Sequence, residues 1–107
     1  MREPQFEELN LLHASICKAL GDPKRIQILY TLHEQPLHVS ALAETLDIPQ
    51  PTISRHLAVL RQSALVTSER DGPAVIYSLA DTAIIEVLDA MRRVLRDALE
   101  RQSSAVT

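Results

Sequence analysis

The chain has 107 residues, 46% hydrophobic and 23% charged, with a formal net charge of −3. That is one domain of ordinary globular composition, with a core small enough to gain from burial against a partner chain. Two glycines offer no phosphate-cradling or dinucleotide loop, 3% aromatic residues are too few for the stacking platforms of single-strand binders, and every apolar stretch breaks before the roughly 18 residues of a membrane span.

One cysteine, Cys17, forms no intrachain disulfide, and no charged-then-apolar leader opens the sequence, so the cytoplasm is the expected location. The acidic balance weighs mildly against a nucleic-acid partner. The charges are uneven, however. Lys18, Lys24, Arg25, Arg55, Arg61 and Arg70 fall in or near one central segment, while Glu3, Glu7, Glu8, Glu34, Glu44, Asp81, Glu86 and Asp89 fall mainly elsewhere. A local basic face on an acidic body can still bind duplex DNA.

In chain order, Phe6, Leu9, Leu12, Ile16 and Leu20 form a stripe that predicts a first helix over 6–20, closed by Gly21. Asp22-Pro23 supplies an N-cap and a first-turn proline for a second helix through Ile26, Leu29 and Leu32, ended by Pro36. Residues 40–63 then read as two short helices joined by a tight turn. Leu42, Ala43 and Leu46 share one face, Ile48-Pro49 interrupts, and Ile53, Leu57 and Leu60 resume at spacings of four and three. Gln50 and Pro51 suit the N-cap and first position of the second of these helices. With Ile53, Leu57 and Leu60 turned inward, Thr52, Ser54, Arg55 and Gln62 face solvent. Small hydroxyls and an arginine at a helix start suit phosphates and base edges in a major groove.

Residues 65–79 change to strand-like patterning interrupted by Asp71-Gly72-Pro73, which predicts a β-hairpin carrying Arg70 at its tip, placed to touch a phosphate or enter a minor groove. Asp81 caps a last helix over 82–101, and residues 102–107 are expected to be disordered. Ile84, Leu88, Met91, Leu95 and Ala98, widened by Val87, Val94 and Leu99, give that helix more apolar surface than a small domain covers by itself. Leu9, Leu12, Ile16, Ile84, Leu88, Met91 and Leu95 are therefore expected at the interface of a homodimer formed by the first and last helices. The alternative is an intrachain core helix. A symmetric dimer would set two reading helices about 34 Å apart.

In this order of elements, the stretches KALGDPKRIQIL, LAETLDIPQPTISRHLAVLRQSALV and VIYSL, with the flanking helices, resemble the ArsR/SmtB family of winged-helix repressors over nearly the whole chain. The resemblance implies a mainly α fold with a small β-hairpin wing, a single winged helix-turn-helix domain over 1–107. It also implies a homodimer that sits on double-stranded operator DNA and leaves when an inducer, often a metal ion, binds. Carried onto this chain, the DNA contacts are Gln50, Thr52, Ser54 and Arg55, with Arg70 in the wing. His56, at the edge of the buried face, is assigned a backbone contact at most.

The resemblance also bears on the inducer. Where arsenic-type and cadmium-type sensors of the family carry Cys-Val-Cys near the start of the third helix, this chain reads His38, Val39 and Ser40. Where zinc-type and nickel-type sensors place ligands on the last helix, it reads Asp81, Ala83, Val94 and Asp97. Both patterns lack the donors that soft metals or zinc prefer. His13 and Cys17, one helical turn apart, are the remaining candidate donors for a divalent or soft metal, weighed against simple packing beside the apolar stripe. His33 and His38 bracket the Pro36 turn and need no ligand. An enzyme is disfavoured, because Ser54, His56 and Asp47 point in different directions and no nucleophile elbow is visible. The competing class is a winged helix used for protein contact, or a regulator without inducer response.

Overall fold

The computed structural model describes residues 3–106, which form five helices and a three-stranded antiparallel sheet. Helix α1 (Phe6–Leu12) continues without interruption into a π-helical stretch, His13–Cys17, where the Lys18 N–H reaches back five residues to the His13 carbonyl. The first helix is thus not the regular α-helix expected over 6–20. A π-turn holds more residues than an α-turn, so the predicted stripe divides there. Ile16 and Leu20 lean on the core and Ala19 is buried within it, whereas Phe6, Leu9 and Leu12 stay exposed.

Helix α2 (Pro23–Glu34) starts as its sequence dictates. Asp22 is extended, its carboxylate accepts the Lys24 N–H at 2.8 Å, and Pro23 fills the first turn. After Pro36 comes a two-residue strand, β1 (Leu37–His38), which periodicity could not reveal because it is too short to alternate. Helix α3 (Val39–Leu46) begins one residue before the expected Ser40 and ends at Asp47, whose φ of 53° is left-handed. Aspartate tolerates that region better than most side chains, and the Ile48 N–H closes the turn onto the Ala43 carbonyl at 3.1 Å.

Helix α4 (Gln50–Gln62) corrects the expected cap by one position. Pro49, not Gln50, is the N-cap, because its carbonyl accepts from Thr52 and Ile53 at 3.0 and 3.1 Å, making Gln50 the first helical residue. Strands β2 (Val66–Asp71) and β3 (Ala74–Leu79) pair from Val66↔Leu79 to Asp71↔Ala74, and β1 pairs with the other edge of β3 through Leu37↔Tyr77 and His38↔Ile76. Gly72, with φ of +64°, takes the first of the two turn positions, where a side chain would be strained. Helix α5 (Ala83–Val106) opens under Asp81, whose carboxylate accepts the Ala83 N–H at 2.9 Å.

That last helix runs beyond the predicted 101. Residues 102–106, expected to be disordered, continue it, since Gln102, Ser103, Ser104 and Ala105 include neither proline nor glycine to stop a helix already nucleated. Thr107 lies outside the described residues. Tyr30 anchors α5 to α2: its hydroxyl donates to Asp89 at 2.6 Å, and the Arg92 guanidinium sits 5.4 Å from its ring centroid. The Tyr30 hydrogen bond, opposed by partial desolvation and reinforced by Arg92, holds the Asp89 carboxyl below its ordinary range.

The core joins Ile28, Leu29 and Leu32 of α2, Leu42 of α3, Ile53, Leu57 and Leu60 of α4, Val66 of β2 and the first two turns of α5. Ile84 and Leu88, expected at a dimer interface, are 8% and 2% exposed and belong to this core. They pack into the body of the domain, with α5 against α2, because Asp81 starts the helix there. Among the described residues, every exposed large hydrophobic side chain lies on α1 or α5. No helix among them is long and apolar enough to cross a membrane.

Candidate nucleic-acid interface

The inward stripe of α4 determines what its other side presents. Ile53, Leu57 and Leu60 are fully buried, which leaves Gln50, Ser54 and Arg55 exposed and Thr52 half-buried at the helix start. Arg55 donates to the Thr52 hydroxyl at 3.3 Å, so its guanidinium folds back toward the N-terminal turn. That turn has no acidic residue and no side-chain cap. The Thr52 and Ile53 N–H groups are taken by the Pro49 carbonyl and Pro51 has none, so what this turn offers an anion such as a phosphate is the positive end of the helix dipole with no acidic side chain to offset it. The structure brings Gln50, Thr52, Ser54 and Arg55 together on one turn and a half of helix.

His56 points another way. Its Nδ1 lies 3.3 Å from the Arg25 guanidinium, and Arg25 also donates to the carbonyls of Ala19 at 2.6 Å and Lys18 at 3.1 Å. A guanidinium can only donate, so Nδ1 accepts and the neutral ring carries its proton on Nε2. Burial lowers the His56 pKa below its ordinary 6.5, Asp22 opposes this, and Arg25, Lys24 and Arg55 add to the lowering. Arg25, grouped by sequence with the basic face, thus satisfies the last carbonyls of the first helix and ties them to α4. The Ser63 hydroxyl makes a second tie, donating to the Ser15 carbonyl at 3.3 Å. Neither tie has a local sequence signal, since the partners lie 31 and 48 residues apart.

In the hairpin, alternation sorts the side chains of β2. Val66, Ser68 and Arg70 share the face that packs Val66, Tyr77 and Leu37 toward the core, while Glu69 and Asp71 take the other. Arg70 is exposed opposite Val75, where the strands pass beyond the core. Asp71 accepts a hydrogen bond from His38 Nε2 at 3.0 Å.

The candidate metal donors fare differently. His13 and Cys17 are both exposed on the π-helical stretch, and among the described residues no three His, Cys, Asp or Glu side chains converge. His38 is bonded to Asp71 and Asp81 caps α5, and the other positions, Val39, Ser40, Ala83, Val94 and Asp97, supply neither a thiolate nor an imidazole. His33 is exposed.

Residues 22–68, from the cap of α2 into β2, match the family described as bacterial regulatory protein, arsR family. The HTH-type transcriptional regulator Rv0081 of Mycobacterium tuberculosis is 38% identical over 96 residues, covering 89% of this chain and 84% of that one. The chain belongs to the ArsR family. Its winged helix-turn-helix fold is that of the Rv0081 crystal structure, with a TM-score of 0.77 at 36% identity over 94% of this chain and 98% of that one. The homodimeric winged helix-turn-helix DNA-binding domain Mb0332 from Mycobacterium bovis superposes with a TM-score of 0.75 at 27% identity, covering 94% of this ArsR-family chain and 95% of that domain. The HTH-type transcriptional repressor SmtB of Mycobacterium tuberculosis is 40% identical over 85 residues, 78% of this chain. The match covers 63% of SmtB, so the chain spans less than two thirds of that relative.

Proposed function

We propose that this ArsR-family chain is a homodimeric, sequence-specific DNA-binding transcriptional repressor. The observation that carries this reading is the surface of exposed Gln50, Ser54 and Arg55 with half-buried Thr52 at the start of α4, on a helix held to the core by three fully buried residues. In the proposed complex α4 lies in a major groove, its first turn toward base edges and phosphates, and Arg70 reaches the flanking backbone. His56 donates from Nε2 to a phosphate at most, since its other nitrogen is engaged by Arg25. The repressor role of SmtB and the homodimeric state of Mb0332, as their names give them, support the same reading.

The dimer of this proposal uses the surface that the protomer leaves bare. Leu9 and Leu12 of α1 and Met91 and Leu95 of α5 are between 42% and 58% exposed, and Phe6, Leu11, Val87, Val94 and Leu99 extend the same two faces. Ile16 lies between this surface and the core. Two such chains related by a twofold axis would present two copies of α4 to successive major grooves.

The test is binding to the duplex upstream of the chain's own gene, and to random duplex, over a range of salt. Specific binding whose affinity falls steeply with salt, by about 0.9 log units per log unit for each phosphate neutralised, supports the proposal. Salt-insensitive binding to a protein with no DNA preference would instead favour the adaptor reading. For a metal inducer, His13 and Cys17 are the donors proposed. Release from DNA by zinc, cadmium or arsenite that is abolished by Cys17→Ala supports them, and release that survives both Cys17→Ala and His13→Ala rules them out.

A further inference from the structure

The contact between His38 and Asp71 joins parts of the fold that the sequence separates by 33 residues. His38 stands at the N-cap position of α3, yet its side chain makes no capping hydrogen bond there. Ser, Thr, Asp or Asn would normally hold the first N–H groups of such a helix. The imidazole instead crosses β3 and donates to the Asp71 carboxylate at 3.0 Å. The backbone explains how it gets there: β1 holds His38 opposite Ile76, Ile76 lies opposite Glu69, and alternation puts Asp71 on the same face as Glu69 two residues nearer the turn. Asp71 is thus held to His38 on the outer face of the sheet, and its neighbour Arg70 is presented on the opposite face of the strand.

We propose that His38 and Asp71 are positioning residues for the wing: their hydrogen bond fixes the hairpin tip against the start of α3 and so sets where Arg70 meets the DNA backbone. This rests on the DNA-binding reading above and adds to it a residue pair whose role is geometric, since neither side chain is asked to touch DNA. The two side chains are 37% and 64% exposed, so the pair is a weak clamp. A weak clamp is sufficient here, because the tip beyond Arg70 is a two-residue turn whose orientation changes with small rotations.

The experiment uses the full chain and the duplex it enriches from a random library, with binding read by fluorescence anisotropy across a salt series and wing order read without DNA by amide hydrogen exchange. His38→Ala and Asp71→Ala should each weaken binding about two- to fivefold, and the double variant should be no weaker than either single one. His38→Gln, whose amide can still donate to Asp71, should restore binding and wing exchange protection to near the original level. Arg70→Ala should reduce the salt slope by about one in the original chain and by clearly less in the His38→Ala background.

Additive losses, a His38→Gln variant no better than His38→Ala, or an Arg70→Ala effect independent of background would overturn the proposal. Unchanged exchange over residues 70–75 in His38→Ala would overturn it without reference to DNA. If the original chain enriches no duplex, the DNA-binding reading itself fails, and with it any positioning role toward DNA, whatever the exchange shows.

Discussion

Arg25 and Arg55 carry the same charge in opposite settings. Arg25 is half-buried and donates to two carbonyls and to His56, so its guanidinium fork completes a helix end. Arg55 is exposed and bonds the Thr52 hydroxyl one turn back, which leaves most of its donors for a ligand. Arg55→Ala should therefore cost about 1 to 3 kcal/mol of DNA binding and relax specificity at one base pair, if the fork reads a guanine bidentately. Comparing the consensus selected by the variant with the original one checks this. A uniform weakening with the same consensus would make Arg55 a phosphate contact. His56 makes a separate prediction from its lowered pKa. The folded ring resists protonation more than the unfolded one, so its contribution to stability is fully present above about pH 6.5 and is lost as pH falls through the lower folded value. The urea midpoint should fall between about pH 7.5 and 5.5, and fall less in His56→Gln. An identical pH dependence in the two proteins would exclude His56 as its source.

At the scale of elements, the parts legible in the sequence are those set by local chemistry. Asp22-Pro23 and Asp81 name their helix starts, and the spacing of Ile53, Leu57 and Leu60 determines which side of α4 faces out. What escaped reading depends on partners far along the chain. The strand β1 exists because β3 offers it an edge, and the contact of Arg25 with His56 and the tie from Ser63 to the first helix become visible once α2 and α4 are packed. The apolar stripe of α5 could be recognised but not divided by sequence. Ile84 and Leu88 went to the core, and Met91 and Leu95 stayed outside, because the helix leaves the body after about two turns. Placing a charge on the outer part should separate dimerisation from folding. Leu95→Glu should yield a folded monomer by sedimentation, with helical content retained and DNA binding weakened at least about tenfold, since one protomer loses the second half-site. A variant that remains dimeric would move the interface elsewhere.

For the whole molecule, a net charge of −3 is reconciled with a DNA-binding proposal by segregation. The turn that α4 presents holds no acidic residue, while Glu7, Glu8 and Glu86 open the helices that carry the exposed apolar faces. Carboxylates in those first turns complement the helix dipoles and leave the start of α4 to amide, hydroxyl and arginine groups, while in the wing Glu69 and Asp71 flank Arg70. The proposed assembly joins two such molecules back to back, so that one interface of modest area determines the distance between two reading surfaces. Hydroxyl-radical footprinting of the complex, with its stoichiometry measured by sedimentation, tests this most directly. The account predicts two protomers per duplex and a twofold-symmetric footprint with half-sites about 10 base pairs, or one helical turn, apart. A one-to-one complex, or protection of a single unpaired site, would contradict it.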